Sequence, residues 1–337
     1  MKDVDIMKKI LNASDVDPNK ILPIKYGWAR SYYLKGVANN WTPEEIPMQQ
    51  DIELWKRNSL SEDERRMIMW NLGFFSTAES LTANNIILAI YRHITNPECR
   101  QYLLRQAYEE AVHTEMFIYC CDSLSLDPDH VYNMYMTVPS IKAKDDFVVG
   151  LTRSIFDKNF STNGDDNIRN FLYDIIGYYM VMVGIFFYAG FAMMLSFKRS
   201  NKMIGIGEQF EYVLRDETVH FSFGADLINT IVAENPQVWT DQFKSSVIET
   251  IKKAVDLEVA YAKDCLPKGI DGINADVVKE YVEYIADRRL EKIGLPIQYM
   301  SKNPFPWLSE ITDLPKEKNF FETRVTEYKT GGQLKWE

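Results

Sequence analysis

Only four histidines occur among the 337 residues, and none of the four cysteines, Cys99, Cys120, Cys121 and Cys265, stands in a CxxC spacing. A disulfide framework and a thiolate metal cage are therefore excluded, and reduced thiols in a cytoplasmic protein are the expected state. Glycine and proline are scarce, at 16 and 13, which excludes a fibrous or low-complexity chain. No useful length of period-two alternation occurs, so a sheet-based fold is excluded and an all-α fold is expected. Clusters of Lys and Arg are missing too, and with a net charge of -10 and a pI near 5.1 no nucleic-acid surface is expected. The N-terminal Met1-Lys2-Asp3-Val4-Asp5 lacks the apolar core of a secretory signal. What the chain does have is 46% hydrophobic residues, enough for one large helical core.

One apolar run, Ile175 to Phe197, carries no charge and is about long enough to cross a bilayer. Tyr178, Tyr179 and Tyr188 lie along its length, Gly177, Gly184 and Gly190 suit close packing, and no second span accompanies it. A buried core helix is the expected state, not a membrane span. The order along the chain is a loosely held N-terminus over residues 1–20, a helical body over 21–312, and a flexible tail over 313–337 with apolar anchors, suited to docking a partner. Thr42, Pro43 and Glu45 have the spacing of a capping box and predict a helix start. Helical spacing then runs from Ser61 to about Arg92, from Pro97 to Asp122, over 145–197 with a break near Asn163-Gly164, over 205–232, and on to Ile293.

Two of the four histidines sit in matching Glu-x-x-His copies, Glu110 to His113 and Glu217 to His220, each with a second acid immediately before the Glu. On a helix this spacing puts acid and imidazole on one face, and two such faces opposed make a two-metal carboxylate site. Leu103, Gln106, Glu110, His113 and Phe117 form the inner face around the first copy. Glu79 lies in an apolar stripe with Leu72, Phe75, Ala83 and Ile86, where an ionised carboxylate needs a partner or a metal. A counterpart is required a similar distance before Glu217, but Met180 to Tyr188 contains no carboxylate, and Asp174 is too far along the helix to substitute. Three glutamates and two histidines stand where the complete pattern has four carboxylates. His93 and His130 have no partner pattern and are expected to be surface or structural residues.

Ser76-Thr77-Ala78-Glu79-Ser80, the two Glu-x-x-His copies, Trp41 before Pro43-Glu44-Glu45, Arg215-Asp216-Glu217 and the tail around Tyr328 together resemble the small, radical-generating subunit of class I ribonucleotide reductase, over nearly the whole chain. The resemblance implies a ferritin-like helical bundle, a homodimer, and Glu79, Glu110, His113, Glu217 and His220 as metal ligands, with Glu110 and Glu217 bridging. It implies Trp41, Asp216 and His113 as a hydrogen-bonded route for the electron and proton, Tyr212 and Tyr328 as later relay positions, and docking of the large subunit by the tail. Most members of that family carry the radical tyrosine where Phe117 stands here, so the chain is similar to the class Ic branch, as in chlamydiae. A mixed manganese and iron centre is implied, with di-iron as the alternative.

The departure is Val183, at the family's fourth glutamate, a terminal ligand of the second metal. A site short of one negative charge predicts weaker or partial occupancy of the second position and impaired oxygen activation. Two other functions fit the same motifs: a related ligand-binding oxidase acting alone on a small apolar molecule, and an inactive ferritin-like metal binder. Trp41 with Asp216 and the Tyr328-bearing tail argue against the first, and Val183 favours the second.

Overall fold

The computed structural model describes residues 8–13, 21–270 and 272–308. Ten helices carry the architecture: α1 (Gly27–Ala38), α2 (Gln49–Lys56), α3 (Glu62–Asn84), α4 (Pro97–Leu124), α5 (Pro139–Thr152), α6 (Asp165–Ile176), α7 (Phe187–Arg199), α8 (Ile204–Glu234), α9 (Asp241–Cys265) and α10 (Ala275–Lys292). Among the described residues there are only two isolated β-bridges and no strand.

Local chemistry sets the ends of the site-bearing helices. Ser61 accepts a hydrogen bond from the Glu64 N–H at 3.2 Å and Glu64 accepts one from the Ser61 N–H at 2.8 Å, a reciprocal cap that starts α3. Asn96 accepts from the Cys99 N–H at 2.9 Å and Pro97 follows it, which starts α4. The helix expected after Thr42 is a single 3₁₀ turn, Pro43–Glu45, and α2 begins only at Gln49. Ile46 precedes Pro47, whose ring disfavours the α conformation before it, and Ile46 is extended at φ -107 and ψ 114. Gly164, at φ 87, starts α6 and marks the expected break.

α3, α4, α7 and α8 form the central bundle, with α1 laid along α4 and with α9 and α10 outside the third helix. That third helix runs without interruption from α6 through a π-helical segment, Gly177–Phe186, into α7. Its apolar run is core: of its most apolar 18-residue window 94% is buried inside the protein. Gly190 makes this packing possible, since a Cβ there would lie 2.4 Å from the Phe75 ring. All four cysteines are free and buried.

The tail over 313–337, including Tyr328, lies outside the described residues, as does most of the 1–20 segment. Within that segment residues 8–13 lie against the body: Ile10 and Leu11 are buried and the Ile10 N–H donates to Glu234 at 3.0 Å. Two adjacent apolar side chains give this short piece a reason to dock.

Candidate metal centre

Each of the four central helices points one segment at a common interior point. Glu79 comes from α3, Glu110 and His113 from α4, Glu217 and His220 from α8, and all five are fully buried. The ligand atoms of Glu79, Glu110, His113 and Glu217 lie within 4.8 Å of one another. His113 Nδ1 stands 3.5 Å from Glu79, 3.4 Å from Glu110 Oε2 and 3.2 Å from Glu217 Oε1. His220 Nδ1 stands 3.2 Å from Glu110 Oε1 and 3.0 Å from Glu217 Oε1. The two oxygens of Glu110 thus face different histidines, and Glu217 faces both, an arrangement of two adjoining positions that share two carboxylates.

Both oxygens of Glu79, Oε2 of Glu110, Oε2 of Glu217 and Nδ1 of His113 are buried without a hydrogen-bond partner. Buried polar groups left without a partner cost about 1–3 kcal/mol each, and more where they carry charge, unless a cation joins them. Hard oxygen and imidazole donors suit manganese and iron alike. Glu79, Glu110, His113 and Glu217 therefore fit a metal ion, and the sharing of Glu110 and Glu217 with His220 suits a pair.

The third helix brings Val183, fully buried, and no acid. Asp174 serves elsewhere: it accepts from Ser154 and from the Ile155 N–H at 3.0 Å, and burial pushes its pKa up to about 6. Beside the second position the segment instead places Tyr178 and Tyr179. The Tyr179 hydroxyl donates to Gln106 Oε1 at 3.0 Å, and Gln106 Nε2 donates to Glu110 Oε1 at 3.2 Å, with the Tyr178 hydroxyl 3.5 Å from the same oxygen.

Burial works against charge on both histidines, but the carboxylates around them, Glu79 foremost for His113 and Glu217 foremost for His220, hold both well above the usual imidazole range. Burial lifts Glu79 well above the usual carboxylate range. A divalent ion entering here must displace these protons, so its affinity rises with pH. Mn(II) uptake should tighten as the pH rises and release protons, measurable by calorimetry in buffers of different ionisation enthalpy. Uptake independent of pH would contradict this electrostatic account.

Outside the pocket, His113 Nε2 lies 3.4 Å from Asp216 Oδ2, and the same oxygen accepts from the Trp41 indole N–H at 2.8 Å. Burial opposes ionisation of Asp216, but Arg215 and His113 outweigh it and keep its pKa below the ordinary value. The Trp41 ring lies 5.1 Å from that of Tyr212. Phe117 stacks on Phe75 at 5.5 Å and meets Phe210 at 5.7 Å, so the position one turn past His113 is an apolar ring cluster. His93 and His130 lie elsewhere: His93 sits against Phe160 and Phe171, with burial holding its pKa down to about 4, and His130 is exposed.

Gln106, Tyr178, Tyr179 and Glu109 join the site through contacts that the two Glu-x-x-His copies do not specify. Gln106 was legible as the residue one turn before Glu110 on the inner face, and Glu109 as the acid preceding Glu110. Nothing in the pattern of an apolar run marked the two tyrosines as polar contacts of the pocket.

An all-α bundle with a buried carboxylate and histidine cluster at its centre defines a ferritin-like protein of the two-metal carboxylate kind. The sequence profile of the family described as "Ribonucleotide reductase, small chain" matches residues 18–304. The chain is 59% identical over 337 residues to the ribonucleoside-diphosphate reductase subunit beta of Chlamydia pneumoniae, covering 100% of this chain and 97% of that one. It is 31% identical over 317 residues to the small chain of Neurospora crassa, covering 93% and 72%. The R2 subunit of Clostridium botulinum superposes with a TM-score of 0.82 at 25% identity, covering 90% of this chain and 94% of that one. This chain belongs to the ribonucleotide reductase small-chain family. It is thus a subunit of an oxidoreductase of the ribonucleoside-diphosphate reductase type, whose counterpart is the large chain.

Proposed function

We propose that this chain is the oxidant-supplying subunit of a class Ic type enzyme, holding a manganese and iron pair, or two irons, and initiating ribonucleotide reduction in the large subunit. The observation that carries the reading is the line from the pocket outward, His113 to Asp216 to Trp41 to Tyr212, with a carboxylate oxygen shared between the imidazole and the indole. A self-contained oxidase has no use for such a route. Bound ions would supply the oxidising equivalent, charged by oxygen. The chain's own residues do the rest: Asp216 holds the proton position between His113 and Trp41, and Phe117 offers no hydroxyl proton whose loss would store a radical.

Glu79, Glu110, His113 and Glu217 would hold the first ion and Glu110, Glu217 and His220 the second, which lacks the carboxylate replaced by Val183 and would bind more weakly. The tail over 313–337, with Tyr328, docks the large subunit and completes the relay; the chain works in the cytoplasm as a homodimer. Val183 favours a second reading, a metal binder without turnover. The deciding experiment combines the chain with a cognate large subunit, manganese, iron and oxygen and follows ribonucleoside diphosphate reduction. Turnover supports the first reading; turnover only after Val183→Glu supports the second for the chain as it stands.

A further inference from the structure

Each Glu-x-x-His helix carries one more acid just ahead of its Glu, and these two acids cross between the helices. Asp216 of α8 faces His113 of α4, while Glu109 of α4 faces His220 of α8, with Glu109 Oε2 2.8 Å from His220 Nε2. Glu109 is 3% exposed, and its other oxygen accepts from Arg105 Nε at 2.9 Å. Arg105 in turn donates to Asn40 at 3.2 Å, the residue next to Trp41. The loop before Trp41 is also gripped by Arg215, which donates to the Asn39 carbonyl beside its contact with Asp216. One short turn, Asn39 to Trp41, therefore ties down both outer carboxylates.

We propose that Glu109 is a positioning residue for the second metal: it fixes His220 as the Nε2–H tautomer, aims Nδ1 at the space between Glu110 and Glu217, and links that histidine through Arg105 and Asn40 to the turn bearing Trp41. A carboxylate bonded to the outer N–H of a ligating imidazole orients the ring and makes it a stronger donor. Such help matters most at a position short of a carboxylate, which is where Val183 leaves it. The geometry is guarded from α1: Gly36 lies so close that a Cβ there would come within 2.6 Å of Glu109 Oε1 and 3.1 Å of Arg105 Cγ.

The inference rests on the two-metal reading of the pocket. Mn(II) titration of the full chain, followed by calorimetry and by the electron paramagnetic signal of free ion, tests it with Glu109→Ala, Glu109→Gln and Gly36→Ala. The same set is repeated in the Val183→Glu background, where the second step is expected to be stronger. Glu109→Ala is expected to weaken the second step about 10- to 100-fold and leave the first unchanged. Glu109→Gln, whose amide oxygen still accepts the Nε2–H bond, should recover most of the loss, and Gly36→Ala should shift the second step in the same direction as Glu109→Ala. An unchanged second step in Glu109→Ala overturns the proposal, as does equal weakening of both steps by Ala and Gln together with a fall in melting temperature. No Mn(II) binding by the parent chain in either background would instead overturn the two-metal reading itself.

Discussion

Val183→Glu is expected to tighten the second metal position by about tenfold or more, close to 1.4 kcal/mol per factor of ten. The substitution puts a carboxylate on the one central helix that brings none to the pocket, so that four negative charges would face two divalent ions. Without metal the same change should destabilise the chain. Val183 is fully buried in the π-helical segment, and a larger charged side chain there adds crowding, about 1–3 kcal/mol, on top of an unpaired carboxylate. The variant should therefore melt lower than the parent in chelator and gain more than the parent on adding Mn(II), because ligand stabilisation grows with affinity. Melting curves with and without metal, and metal content after dialysis against chelator, measure both. Two ions held by the parent chain through such dialysis would remove the basis of the expectation.

Trp41→Phe is expected to lower ribonucleotide reduction by the assembled complex by about 10²-fold or more while leaving metal content unchanged. Trp41 offers no donor atom to the pocket; its ring lies 6.4 Å from that of His113, and its indole N–H donates to the Asp216 oxygen that also faces His113. Phenylalanine keeps the apolar ring, so the fold survives, but it removes the donor and the ring most easily oxidised between His113 and Tyr212. Asp216 would then keep Arg215 and His113 as partners. Equal loss of metal and turnover would instead make Trp41 a structural residue, and unchanged turnover would remove it from the route.

Homologous small chains share this framework, and the legible part of it came from short-range geometry. Glu79 was visible because a carboxylate in an apolar stripe at helical spacing has to face the interior. The paired Glu and His were visible because a three-residue spacing puts both side chains on one helical face whatever surrounds them. The lack of an acid between Met180 and Tyr188 was visible directly, and the structure buries that segment, Val183 included, in the core. Even the early stop after Glu45 has its signal in the proline at position 47, which disfavours helical geometry at Ile46.

The sequence by itself determined which helices form, which face of each turns inward, and which donors those faces carry, since these follow from the 3.6-residue period and from caps made within a few residues. Only the tertiary structure decided that Asp216 meets His113 and Glu109 meets His220, that Gln106, Tyr178 and Tyr179 close the second position, and that Phe117 is walled by Phe75 and Phe210. The crossed pairs join residues 103 and 111 positions apart, and helix-to-helix register at that range is set by how side chains of different helices fit together, which local periodicity does not encode.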